Sequence, residues 1–195
     1  MKPVVSIAVL ALAASQSLLG QSAQALSAQA SVLYSGLSGH AYQGFNSGPG
    51  LEAQARYTAT NGFSLGVGYQ RTVHSVAGAS GNATLSGPFV EPRYTFEVKG
   101  HDDIYPYASL RAAALKQRFS GNSVTSSASG FSANAGGGIL FRLTSRVNLD
   151  IGATVGITKF SNFITIEPAT GQRIAGETGS GSNFVLRSGL AVGVF

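Results

Sequence analysis

Residues 131–157 decide the fold, and they read FSANAGGGILFRLTSRVNLDIGATVGI. Apolar and polar side chains alternate along 131–142, and the alternation resumes along 147–157 after the polar turn at 144–146. Because successive side chains of a β-strand point to opposite faces, each run has one apolar wall and one polar wall. The two runs predict a β-hairpin with strands of roughly 10–12 residues, long enough for the ~9–11 residues that a tilted membrane-spanning strand needs.

The same period of two residues recurs along the rest of the chain. Asn61-Gly62 predicts a tight hairpin turn between two of the runs, and Pro88 and Pro92 predict a local bulge or a missing hydrogen bond, because proline cannot donate to a ladder. The connections alternate between long Gly- and Ser-rich loops and short turns, which is typical of outer-membrane barrels. The fold class is therefore all-β, an eight-stranded antiparallel up-and-down transmembrane β-barrel. Its predicted strands cover 28–37, 50–58, 63–71, 85–98, 104–115, 131–142, 147–158 and 184–195, with the segment 120–130 as a loop.

Nine charged side chains fall on the polar walls of these strands. An eight-stranded barrel is just wide enough for side chains to fill it, and isolated charges inside it would be costly while paired charges are tolerated. We therefore predict an internal ion-pair network that plugs the barrel, with a conduction path or gate as the alternative. The nine residues are Glu52, Arg56, Glu91, Arg93, Glu97, Arg111, Arg142, Asp150 and Arg187.

The apolar walls are predicted to face lipid. Lys159 is in phase with the lipid-facing wall and is expected near lipid phosphates at the end of its strand. Aromatic side chains are expected to form girdles at the two membrane interfaces. Those residues are Tyr34, Tyr57, Phe63, Tyr69, Tyr94, Phe96, Phe141 and Phe160.

The N-terminus resembles a secretory signal. Lys2 precedes an apolar run that is interrupted at 15–17, too early for the ~20 residues of a membrane helix, and Ala23-Gln24-Ala25 fits a cleavage site. We therefore expect a signal peptide over 1–25 and a barrel domain over 26–195. With Lys2 removed, 12 basic residues face 8 acidic ones, an excess too small and scattered for a nucleic-acid groove. The absence of cysteine excludes disulfides, thiolate metal sites and a cysteine-linked lipid anchor.

Five stretches carry a resemblance to a known family: 85–96, 106–115, 129–143, 145–152 and 182–195. With them the chain resembles the OmpA/OmpX-like outer-membrane β-barrel domain family, in particular small barrel-only members of an acidobacterial type. The resemblance implies insertion by the outer-membrane assembly machinery and contact with outer-membrane lipid and lipopolysaccharide. It also implies an assembly signal at Phe195, although the apolar residues before it lie in the opposite phase and leave the register of the last strand open.

These features predict a non-enzymatic outer-membrane barrel with a plugged polar lumen and four exposed loops that serve a structural, adhesion or surface-interaction role. Two alternatives stay open: a lipid-modifying barrel enzyme, and a soluble lipocalin-like barrel. For the enzyme, His74 and Ser75 are adjacent and should point to opposite faces of a strand. No catalytic, cofactor-binding or metal-binding residue is predicted, and the oligomeric state stays open.

Overall fold

The computed structural model describes residues 25–39, 42–59, 61–78, 80–121, 124–161, 164–166, 173–175 and 179–194. The predicted signal peptide, apart from Ala25, and Phe195 lie outside these residues. Among the described residues, no helix has the length and apolar character needed to cross a bilayer. The strands are β1 Leu26–Ser38, β2 Gly48–Thr58, β3 Phe63–Ser75, β4 Asn82–Thr95, β5 Ile104–Gly121, β6 Val124–Arg142, β7 Val147–Phe160, β8 Ile164–Ile166, β9 Arg173–Ala175 and β10 Gly179–Gly193.

Eight of these strands close into an all-antiparallel barrel, as predicted. Strands β1 to β7 pair with their neighbours in chain order, and β10 fits between β7 and β1 to complete the circle. The pairing of Ser27 with Gly193 places both ends of the barrel domain beside each other. They lie at the same end of the barrel as the connections 59–62, 96–103 and 143–146, which we call the turn end; the opposite end is the loop end.

The alternation of side chains in β2 shows how the sequence sets the two walls. Leu51 and Tyr57 are 65% and 57% exposed on the outer wall, whereas Glu52, Gln54 and Arg56 are at most 6% exposed inside. The same alternation places Leu186, Leu190 and Val192 of β10, and Val194 just after it, on the outer wall and Arg187 inside. The register that the sequence left open is therefore the one that directs these apolar residues toward lipid.

The predicted loop at 120–130 is wrong. Strand β5 extends to Gly121 and β6 begins at Val124, so the two strands are 18 and 19 residues long, and Gly121 pairs with Val124. The short strand β8 adds to β6 through the pairs Thr125–Ile166 and Ser127–Ile164, and β9 pairs with β8. The Ser- and Gly-rich composition suggested a loop, but pairing on both sides of β6 satisfies the backbone and extends the sheet at the loop end.

The prolines of β4 interrupt its ladder with β5. Pairing passes from Ser86–Lys116 directly to Phe89–Ala113, and from Val90–Ala112 to Arg93–Ser109. The register is the same on both sides of each gap, so no residue is inserted. Pro88 and Pro92 therefore cost hydrogen bonds without producing a bulge, one of the two predicted outcomes.

Candidate functional site

Glu91 of β4 lies at the centre of the lumen and contacts four arginines. Its Oε1 accepts hydrogen bonds from Nη2 of Arg56 at 2.8 Å and from Nη2 of Arg93 at 2.9 Å. Its Oε2 accepts from Nε of Arg111 at 2.7 Å and from Nη1 of Arg187 at 2.9 Å. The carboxylate is 0% exposed, so this one anion joins cations from β2, β4, β5 and β10.

Two further carboxylates complete the ion pairs. Asp150 of β7 accepts from Nη2 of Arg93 at 3.1 Å, from the Gln29 amide at 2.7 Å and from the Tyr107 hydroxyl at 2.7 Å. Glu52 of β2 accepts from Nη1 of Arg111 at 2.6 Å. Each carboxylate therefore binds a guanidinium from another strand, which ties the barrel wall together across its interior.

We call these seven residues the lumen cluster: Glu52, Arg56, Glu91, Arg93, Arg111, Asp150 and Arg187. Each is at most 6% exposed. Four guanidinium groups face three carboxylates, which leaves one positive charge in a buried site. Because a buried charge is costly unless it is paired and hydrogen-bonded, the cluster is stable only while each charged side chain keeps its partners within the cluster.

Glu97 and Arg142, the other two predicted members, do not join the cluster. Strand β4 ends at Thr95, earlier than predicted, so Glu97 lies beyond the barrel wall and is exposed. Arg142 is the last residue of β6, and its guanidinium stacks over the Tyr105 ring at 4.9 Å. Both residues have the phase of the lumen, but phase does not give the height of a residue along the barrel axis.

Tyr107 packs into the lumen beside the cluster and was not predicted. The Arg93 guanidinium lies 3.7 Å from its ring centroid, and Arg187 donates to its hydroxyl at 2.8 Å. Gly138 and Gly152 make room for this side chain, since a Cβ on either would lie within 2.4 Å of the Tyr107 hydroxyl. The expectation that the glycines of 136–138 make room for bulky lumen neighbours therefore holds at Gly138.

Toward the loop end the lumen also holds an apolar cluster, beside buried polar side chains such as Thr158 and Asn183, and the prediction of a polar interior missed this cluster. Phe160, predicted in an aromatic girdle, is 0% exposed and lies inside, with its ring 6.4 Å from that of Tyr42. Its even position in β7, shared with Thr154 and Thr158, was the signal for an inward side chain. Burial raises the pKa of Tyr42 to about 12, so its hydroxyl stays protonated. The buried members of this apolar cluster are Tyr42, Leu85, Phe89, Ala113, Leu115, Ala128 and Phe160.

Between the lumen cluster and the apolar cluster lies a cavity of about 30 Å³, room for one or two water molecules. Its lining includes Arg111 of the lumen cluster, Leu115 of the apolar cluster, and Thr72 and Asn183. The described part of the lumen is therefore filled by side chains over most of its height.

His74 forms a second buried polar contact. Its Nε2 lies 2.9 Å from Oγ1 of Thr72 and 3.4 Å from Oγ of Ser35, and its Nδ1 lies 3.0 Å from the Asn46 carbonyl. The ring is 0% exposed, whereas Ser75 is exposed on the outer wall. The adjacent pair therefore faces opposite walls, as the strand period predicts. Through its contact with the Asn46 carbonyl, His74 holds the 42–47 segment against the barrel. Among the described residues, no group of three or more histidine, aspartate or glutamate side chains could hold a metal ion.

The outer wall carries most of the predicted aromatic residues. Tyr57, Phe63 and Tyr94 are 44–57% exposed toward the turn end, and Phe63 pairs with Tyr94. At the other end, Tyr34 and Phe184 face the same side with ring centroids 6.3 Å apart. Two aromatic zones on an apolar wall are typical of a barrel that spans a membrane.

Solved structures with this fold are outer-membrane barrels. Neisserial surface protein A superposes with a TM-score of 0.66 at 17% identity, over 87% of this chain and 97% of that chain. The N-terminal barrel domain of Pseudomonas aeruginosa OprF gives 0.50 at 14% identity, over 85% and 96%. Ail of Yersinia pestis, the attachment invasion locus protein, in complex with the heparin analogue sucrose octasulfate gives 0.50 at 16% identity, over 85% and 97%. At these identities the likeness shows the fold alone.

A search of curated proteins finds no match. The family described as outer membrane protein beta-barrel domain matches residues 5–189. With a closed eight-stranded barrel, an apolar outer wall and a charged interior, the chain belongs to this outer-membrane β-barrel family.

Proposed function

We propose that this protein is a non-conducting, non-enzymatic outer-membrane barrel that displays a β-sheet above the membrane for surface contacts. The observation that carries the proposal is the filled lumen. The lumen cluster blocks the middle, the apolar cluster blocks the loop end, and the cavity between them is about 30 Å³. Among the described residues, this interior cavity is far smaller than the ~300–1,000 Å³ that ligand sites usually occupy.

The displayed sheet gives the barrel a surface on which function can reside. Strands β5 and β6 are the longest at 18 and 19 residues, compared with 11 for β2. The β8–β9 hairpin adds to β6 and widens the sheet at the loop end. We call the paired segments 116–121 and 124–129, together with β8 and β9, the outer platform. A rigid, paired scaffold presents side chains at lower entropic cost than a free loop.

A conductance measurement tests the filled lumen. The purified protein in a planar lipid bilayer should give no steady single-channel current, because ions would have to displace paired charges and the apolar cluster. As the control, Arg111→Ala combined with Leu115→Ala removes side chains from both layers and should raise the frequency of current events. Stable channels formed by the unaltered protein would contradict the proposal.

Replacement of the platform hairpin tests the surface role. A variant with 162–178 replaced by a short Gly-Ser linker should fold to the same barrel but lose most of the adhesion that expression of the protein confers on cells. The matched control replaces only 77–80 by Gly and Ser, which alters a different loop-end connection. Equal adhesion by the hairpin variant and the unaltered protein would contradict a role for the platform.

A further inference from the structure

The lumen cluster carries one positive charge that its carboxylates do not balance. Four guanidinium groups share Glu52, Glu91 and Asp150, and all seven side chains are buried. Among the described residues, Arg56 forms an ion pair with Glu91 alone, and three other arginines share that carboxylate. Because an uncompensated buried charge is costly, a further anion in the lumen would stabilise the cluster.

Arg93 has donors to which such an anion could bind. Its Nη2 donates to Glu91 and Asp150, but its Nε and Nη1 are buried and have no hydrogen-bond partner among the described residues. The Tyr107 ring centroid lies 3.7 Å from the central carbon of the guanidinium. Since the N–H groups of a guanidinium lie in its plane, a ring against the face leaves these donors open to an acceptor at the edge.

A second open donor lies on the neighbouring strand. Ser109 of β5 pairs directly with Arg93 of β4, and both residues are buried in the lumen. The Ser109 hydroxyl has no hydrogen-bond partner in the described part of the chain. Directly paired residues have Cβ atoms about 4.5–5.5 Å apart, so the two groups lie side by side. The residue paired with Ser109 on β6 is Gly136, which has no side chain to fill the space beside the hydroxyl.

We propose that Arg93 and Ser109 bind one chloride ion inside the barrel. A monatomic anion accepts hydrogen bonds from both groups and offsets the excess charge, whereas a water molecule would satisfy the donors and leave the charge. Because Nη2 of Arg93 binds both carboxylates, the anion meets the guanidinium at the other nitrogens, away from Glu91 and Asp150. Tyr107 and Glu91 are 4% and 0% exposed, and this close packing favours a monatomic ion over a phosphate or a sulfate.

The site lies inside the barrel, so it goes beyond the proposed surface role and stands or falls separately from it. The test is the chloride dependence of unfolding by urea in lipid vesicles, with gluconate replacing chloride at constant ionic strength. An ion that binds only the folded barrel stabilises it by mass action. Once chloride exceeds its Kd, the equilibrium constant for unfolding should therefore fall about tenfold for each tenfold rise in chloride.

Ser109→Ala removes one donor and leaves every ion pair of the lumen cluster in place. The chloride concentration at which stabilisation begins should rise roughly tenfold or more, because a hydrogen bond to a charged group is lost. Ser132→Ala is the matched control, since Ser132 is also buried in the lumen but donates to Asn134 toward the loop end. This control should keep the chloride dependence of the unaltered protein, and an equal shift in both variants would overturn the site.

Crystals grown in sodium bromide test the position of the anion. Bromide replaces chloride and scatters anomalously, so we expect one anomalous peak within hydrogen-bond reach of Arg93 and Ser109. Ordered density there without an anomalous signal would identify a water molecule and overturn the proposal, as would bromide peaks on exposed cations alone. Unfolding that does not depend on chloride at constant ionic strength would also overturn it.

Discussion

At the scale of single residues, Glu91 has the largest role in the charge balance of the lumen. Four guanidinium groups contact its two oxygens. Glu91→Gln would keep the shape and remove the charge, leaving the arginines with two carboxylates. Because removing one partner of a buried ion pair costs about 3–5 kcal/mol, we expect a loss of this size in the free energy of unfolding, measured by urea titration in lipid vesicles.

The matched control for Glu91→Gln is Glu97→Gln. Glu97 is exposed beyond the end of β4, so its substitution should leave the urea midpoint unchanged. Equal midpoints for Glu91→Gln and the unaltered protein would mean that the buried ion pairs do not stabilise the barrel.

The sequence predicted inward side chains better than it predicted their surroundings. The period of two residues placed Glu52, Glu91 and Asp150 inside because a charge facing lipid would be costly. It did not give their height, which is why Glu97 was wrongly grouped with them. The aromatic character of Phe160 suggested a place in a girdle, whereas the phase of β7 directs this side chain inward. Height and partner choice depend on register between strands, which no single strand encodes.

At the scale of elements, the packing of Tyr107 of β5 depends on glycines in β6 and β7, which leave space for its side chain. A Cβ on Gly152 would lie 2.3 Å from the Tyr107 hydroxyl, and its next contact would be the Gly137 carbonyl at 3.2 Å. Gly152→Ala should therefore destabilise the barrel by about 1–3 kcal/mol, as overpacking does. Urea titration of this variant against the unaltered protein measures the cost.

A double-mutant cycle identifies the cause of that cost. Tyr107→Phe removes the hydroxyl that the new methyl group would meet, so Gly152→Ala should cost less in that background, with a coupling of roughly 0.5–3 kcal/mol. Tyr107→Phe alone loses its hydrogen bonds to Asp150 and Arg187, and the cycle subtracts this loss. Strictly additive costs would mean that the glycine is needed for another reason.

The extension of β5 and β6 shows that amino-acid composition alone can fail to predict a strand. The segment 120–130 is rich in serine and glycine, and by intrinsic preference it resembles a loop. In its described residues, 120–121 and 124–130, the pairing of β5 with β6, together with β8 on the far side of β6, satisfies backbone groups and keeps the chain extended. Strand propensity depends strongly on context, so pairing on both sides can keep a segment in a strand even where its composition favours a loop.

At the scale of the whole molecule, closure of the barrel and the inward or outward direction of its side chains determine one another. A closed barrel leaves no edge in lipid, and closure here requires β10 to pair with both β1 and β7. Eight strands leave an interior that side chains can fill, and the lumen cluster and the apolar cluster occupy it. The number of strands and their two walls could be predicted from the sequence. The apolar cluster could not, because it assembles residues from five segments of the chain.

The most direct test of this account is cysteine labelling at two adjacent positions of β3. The chain has no cysteine, so Ser64→Cys and Leu65→Cys each introduce a single thiol. In outer membranes, Leu65→Cys should react with a lipid-soluble maleimide and not with a water-soluble one, because Leu65 is 46% exposed on the outer wall. Ser64→Cys should react with neither, because Ser64 is 2% exposed in the filled lumen. Labelling of position 65 from water, or ready labelling of position 64 from water, would contradict a filled barrel with its apolar wall in lipid.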